Sequence, residues 1–261
     1  MTWIGSLPPW ALFPLFAAGA LLFTVAVDGI MRRRLVPVSV RQTAGPTAST
    51  TLQALATVYA VLVALVIVDE YSQLRNAQDE VSSKAAQLSI IFENSRNLPQ
   101  TEGEAIRHSV LAYARLDVRI GLPGLAHSSK PSPVIDAALE NIYRVVSTIE
   151  PSTESGKAAY AEILSALAQV SQTRSNLVNS TKATIPTSLF VILAVLAGTV
   201  LAVATLMDTR HRRSHLLIIG ALVVGVSITL ALAAALDYPF RGFIHIDSSP
   251  LTQFVSNRAA R

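Results

Sequence analysis

Residues 10–27, 52–68, 185–207 and 216–236 form four apolar runs with no charged side chain in any of them. Each is close to the ~20 residues that cross ~30 Å of hydrocarbon at ~1.5 Å per residue. One such run suits a buried core helix, but four in a chain of 261 residues predict a membrane protein. Composition agrees: 51% of residues are hydrophobic, 15% are charged, and mean hydropathy is +0.45. The first run has no basic segment ahead of it and its arginines follow, so it reads as a retained anchor, not a cleaved signal. Small residues recur at four-residue spacing at Ala56, Ala60 and Ala64, and again at Ala194, Gly198 and Ala202. That spacing predicts faces on which helix backbones approach closely in lipid.

Arg32, Arg33, Arg34 and Arg41 follow the first run, and Arg210, Arg212 and Arg213 separate the third from the fourth. Both connections are short, where basic residues have most weight in favouring the cytoplasm. Arg75, Lys84, Arg174, Lys182 and Arg241 lie toward the other side. The expected orientation therefore puts both termini and the central segment outside the cytoplasm.

The central segment carries helical periodicity. Leu74, Ala77, Val81, Ala85, Leu88 and Phe92 fall at steps of three and four, one stripe of a helix that continues out of the second span without proline or glycine. A second helix fits 102–120, with Ile106, Val110, Tyr113 and Asp117 or Val118 on one side, ended by Gly121, Pro123 and Gly124. Residues 127–133 read as a loop. A third helix follows, with Ile135, Ala138, Ile142, Val145 and Ile149. Pro151 interrupts, and Ser152 or Thr153 can cap a fourth helix from Glu154. This last helix is expected to run into the membrane, kinked at Pro186. Its stripe is Tyr160, Ile163, Leu167, Val170, Arg174, Leu177 and Thr181. An arginine among apolar stripe residues needs a partner. If this helix lies antiparallel to the one leaving the second span, Arg174 is level with Asp79 and Glu80, and Glu80 is the expected partner.

The fold class is thus an all-α membrane protein: four transmembrane helices, a helical-bundle stalk between the second and third, and a short extended segment after the fourth. In residues, 1–31 is the first anchor, 32–50 a basic cytoplasmic loop and 51–68 the second span. Residues 69–183 form the extramembrane helical domain, 184–207 the third span and 208–215 a second basic loop. The fourth span is 216–236, and 237–261 is an interfacial segment and tail.

With no cysteine, thiolate chemistry and disulfides are excluded. No phosphate-binding glycine loop, HExxH or GxSxG is present. His211 and His215 have metal-ligand spacing, but they sit among arginines and read as interfacial loop residues. No enzyme activity, cofactor or metal is expected. The net charge of +4 and a pI near 9.6 follow from the topology arginines, and no aromatic–basic interleaving suggests nucleic acid. Ionisable residues lie only at span ends, at Asp28, Asp69, Glu70, Asp208 and Asp237, which disfavours ion-coupled transport.

"ALDYPFRGFIHIDSSP", residues 235–250, is a particular way to leave a membrane. Asp237 can accept from backbone amides, Pro239 stops the helix and Phe240 can anchor in the interface. Arg241 sits at headgroup level, Gly242 permits a turn, and 243–247 alternates as a short strand would. The reading is a fixed return of the chain at the mouth of the bundle.

This stretch resembles the C-terminal hallmark of the bacterial family of four-span proteins described as bestrophin-like, through Leu236, Asp237, Pro239, Phe240 and Gly242. "TRSNLVNSTKATIP", and "KAAQLSIIFENSRNLP" followed by "LAYARLDVRIGLPGL", extend the resemblance over most of 51–250. At Lys84 the family tends to carry an acid, so this chain departs from it there. The resemblance implies kinship with bestrophins, pentameric anion channels with two spans, a helical domain and two more spans. It also implies a bacterial inner membrane, and a cytoplasmic helical domain, against the arginine argument. The expected function is an oligomeric anion channel whose pore mouth is shaped by Asp237, Pro239, Phe240, Arg241 and Gly242. Its partners would be the lipid bilayer, further copies of the chain and inorganic anions. The alternative is a non-conducting sensor, scaffold or partner-binding module.

Overall fold

The computed structural model describes residues 9–30, 38–128, 131–181, 187–206, 212–236 and 247–259. Among them the elements are helical, in the order α1 (Pro9–Ile30), α2 (Val38–Asn94), α3 (Gln100–Leu116), α4 (Leu122–Ser128), α5 (Pro133–Ser147), α6 (Glu154–Asn179), α7 (Thr187–Thr205), α8 (Arg212–Leu236) and α9 (Ser249–Ala259). A 3₁₀ turn at Ser95–Asn97 joins α2 to α3, and a π-helical turn at Asp117–Gly121 joins α3 to α4. The chain divides into two units: residues 1–72 with 183–238, and residues 73–182 with 239–261.

The first unit holds the four helices long and apolar enough to cross a membrane, at Ala11–Ile30, within Thr47–Asn97, at Ser188–Thr205 and at His215–Leu236. Its interior is an apolar cluster in which Tyr59, Val63 and Val66 of α2 meet Leu193, Ala197, Val200 and Leu201 of α7 and Ile219, Val223, Val226 and Leu230 of α8. The Tyr59 hydroxyl lies 2.7 Å from Thr229 Oγ1 of α8, so the phenol's polar end is satisfied inside the cluster. Other hydroxyls return to their own helix: Thr24 donates to the Ala20 carbonyl at 2.7 Å and Ser227 to that of Val223 at 2.6 Å. Apolar side chains such as Leu22, Leu65, Val195 and Leu217 point outward, as lipid contact requires.

The small-residue faces are realised only in part. At Gly198 an added Cβ would come within 3.3 Å of the Phe23 ring of α1, so this glycine lets α1 and α7 approach. Ala60, Ala64 and Ala194 are exposed, since the buried sides of α2 and α7 are those of Tyr59, Val63 and Val66 and of Leu193, Ala197, Val200 and Leu201.

The second unit is a helical bundle whose stripes follow the 3.6-residue period. Leu74, Ala77, Val81, Ala85, Leu88 and Phe92 are all buried, as are Ile106, Val110 and Tyr113 of α3, and Ile163, Leu167, Val170 and Leu177 of α6. Pro133 opens α5 at a position where its missing N–H costs nothing. Thr153 caps α6 by accepting from Gly156 N at 2.9 Å.

Several boundaries differ from expectation. α2 begins at Val38, so the second half of the expected loop 32–50 is helix, and α8 likewise begins within 208–215. Gly121, Pro123 and Gly124 do not end a helix; the chain passes them by widening into the π turn and continuing as α4. α6 ends at Asn179 in a turn at Ser180 and Thr181, and the kink position Pro186 lies outside the described residues. After the fourth span, residues 237–246 are also outside them, and the expected tail contains α9.

Candidate functional site: a buried charge network in the helical domain

Lys84 sits on the buried stripe of α2, between Val81 and Leu88, and Asp117 sits on the buried stripe of α3 at the start of the π turn. Each side chain is 1% exposed, and Lys84 Nζ donates to Asp117 Oδ2 at 2.8 Å. Desolvating both charges is costly, and mutual attraction offsets that cost only while both are present. The π turn supplies the geometry. Leu122 N bonds to the Asp117 carbonyl five residues back. Gly121 leaves space for the carboxylate: a Cβ there would lie 2.1 Å from Asp117 Oδ1. Any side chain at 121 would displace the acid that holds Lys84.

One turn before Asp117, Tyr113 is fully buried, and its hydroxyl meets no hydrogen-bonding partner among the described residues. Its phenol pKa is pushed up, first by burial, then by the Asp117 charge. Arg174 opposes that rise and Asp136 adds to it, so all three charges act on the same phenol.

Arg174 lies on the inner stripe of α6 as expected, but its partner is Asp136 of α5, not Glu80 or Asp79. Nε and Nη2 of Arg174 donate to Asp136 Oδ1 at 2.8 and 2.6 Å, and Nη2 also reaches the Ser132 carbonyl at 3.3 Å. The arginine therefore fixes the start of α5, where the first-turn acid Asp136 also complements the helix dipole. Glu80 instead accepts from Asn176 Nδ2 of α6 at 2.6 Å. The arginine turns instead toward the acid beside a helix start, where it gains a carbonyl as well. Asp79 is exposed.

Two ion pairs, one phenol and a π turn thus join α2, α3, α5 and α6. The innermost charges are closed to solvent, so the network's chemistry is positional. It fixes the register of α2 against the α3–α4 junction. In the sequence Asp117 was legible as a charge on an apolar stripe and Lys84 only as a basic residue beside one; nothing in the spacing paired them.

The pore-mouth candidates Asp237, Pro239, Phe240, Arg241 and Gly242 lie outside the described residues. The segment from Asp247 into α9 packs onto the helical domain. The Gln78 side-chain amide clasps the backbone of Asp247, donating to its carbonyl at 3.0 Å and accepting from its N–H at 2.6 Å. Asp247 in turn accepts from Ser249 N at 2.8 Å and starts α9. Leu251 is fully buried, Phe254 meets Phe92 edge-on at 6.2 Å, and Arg258 lies 5.2 Å from the centre of the Phe92 ring and pairs with Glu93.

Among known proteins, a bestrophin-like domain matches residues 17–251. No curated protein and no solved structure matches the chain. The matched region starts inside α1 and reaches into α9, so it takes in the membrane helices, the charge network and the clasp at Gln78. A match over most of the sequence, on a chain with four apolar membrane-length helices, establishes that this protein belongs to the bestrophin-like family.

Proposed function

We propose that the protein is an oligomeric anion channel of the inner membrane, with its pore formed between copies of the chain. The observation that carries this reading is the packing of the first unit. Among the described residues of one chain, apolar side chains from Tyr59 to Leu230 pack together between α2, α7 and α8, which favours a conduit between subunits over one through this cluster. Large apolar areas on all four helices remain uncovered within one chain and are available to neighbours as well as lipid. No Asp or Glu falls within 52–68, 187–205 or 216–236, so a pore lined by these stretches carries no fixed negative charge to repel an anion. Arg241 at the mouth would raise the local anion concentration. The helical domain is assigned to the non-cytoplasmic side, on the strength of Arg32, Arg33, Arg34, Arg210, Arg212 and Arg213.

Chloride efflux from liposomes holding the purified chain tests the reading. Efflux above empty vesicles, reduced in Phe240→Ala or Arg241→Ala, is the expected result. A monomer in detergent together with no efflux would replace it with a non-conducting membrane module. Reporters fused after Arg261 and inserted at 127–133 test the orientation.

A further inference from the structure

The helical domain carries a second feature that the channel reading does not use. A pocket of about 670 Å³ opens beside the first turns of α3. Three arginines line it from three separate places in the chain: Arg96 from the 3₁₀ turn, Arg107 from α3 and Arg258 from α9. Their charges are incompletely matched. Glu93 is shared, taking Arg96 at 3.2 Å and Arg258 as well. Among the described residues Arg107 forms no ion pair, and its one hydrogen bond is a long one, 3.4 Å to Ser95 Oγ. The acid that lines the pocket, Glu104, is held by Gln100 Nε2 at 3.1 Å. Three guanidinium groups therefore face two carboxylates. Pro99 at the N-cap of α3 gives no side-chain acceptor to the first free N–H groups, and Glu102 in the first turn offsets the positive end of the helix. Leu98, Leu111 and Phe92 supply an apolar wall.

We propose that this pocket binds the phosphate group of a small phosphorylated molecule. Planar guanidinium forks match phosphate oxygens in pairs, and Arg107 is the donor with most capacity left. The volume falls within the ~300–1,000 Å³ of small-molecule sites, and the leucine wall suits an organic body beside the phosphate. The phosphate could be carried by a soluble molecule or by a lipid headgroup. The proposal stands apart from conduction, since it concerns equilibrium binding to the helical domain.

The test uses the full chain in zwitterionic detergent, titrated calorimetrically with inorganic pyrophosphate. Saturable binding tighter than ~1 mM is expected, weakened about tenfold or more in Arg107→Gln and unchanged in Arg144→Gln, an exposed arginine outside the pocket. Arg107→Lys should recover part of the affinity, which a purely structural role would not produce. Arg96→Gln, whose side chain is half exposed, is the second variant should Arg107→Gln lose the fold. A parallel arm compares melting temperatures in nanodiscs of phosphatidylcholine alone and with phosphatidic acid. Stabilisation by phosphatidic acid that Arg107→Gln abolishes, without pyrophosphate binding, assigns the site to a lipid headgroup. Absence of saturable binding or stabilisation by either probe, or equal effects in wild type and Arg107→Gln, would overturn the proposal.

Discussion

Lys84 and Asp117, each sealed from water, leave the helical domain no means of solvating either charge alone. Lys84→Ala or Asp117→Ala should therefore each destabilise by about 3–5 kcal/mol, while the double change Lys84→Met with Asp117→Leu should restore most of the loss. Thermal unfolding in detergent measures both. Tyr113 behaves in the opposite way. Its hydroxyl is buried with no partner among the described residues, so Tyr113→Phe should raise stability by about 1 kcal/mol. The phenol also sets an alkaline limit. Its folded pKa lies above the unfolded value of about 10, so above that pH the unfolded chain releases a proton that the folded chain keeps. Its contribution is complete below pH ~10 and is lost as pH rises beyond it. Tyr113→Phe should flatten that part of the stability–pH curve.

At the level of helices, periodicity made most of the architecture readable. Stripes such as Leu74 to Phe92 follow directly from a 3.6-residue turn, and Thr153 has the chemistry of a cap. Thr153→Ala should cost about 1 kcal/mol. Junctions were less readable. A glycine at 121 reads equally well as a helix end or as room for a neighbouring carboxylate, and only packing against Lys84 decides between them. Partner choice was similarly hidden. Helix levels brought Arg174 near Glu80, but its rotation toward Asp136 depends on where α5 starts, which an intervening loop sets. Double-mutant cycles should show coupling of about 1 kcal/mol between Arg174 and Asp136, and near-additivity between Arg174 and Glu80. α9 escaped notice because its apolar pattern is short and its main anchors, Gln78 and Phe92, lie far away in sequence.

For the molecule as a whole, the membrane class follows from the apolar runs and the family from the match over residues 17–251, while the assembly does not follow, because one chain shows only its own packing. Large uncovered apolar area predicts association: the purified chain should be multimeric in mild detergent and should precipitate without it. Crosslinking with mass measurement checks this. Deleting 247–261 should do more than shorten a tail. It would uncover Phe92 and strip the Gln78 amide of both hydrogen bonds, so the truncated chain should lose several degrees of melting temperature.

The Lys84–Asp117 pair also limits how this protein can drift. A charge reversal at either position alone would place two like charges together in a dry interior, so the two sites are expected to change in concert across descent. Relatives bearing an acid where this chain has Lys84 should carry a base or an uncharged residue in place of Asp117, and tabulating the two columns would reveal whether that parity is kept.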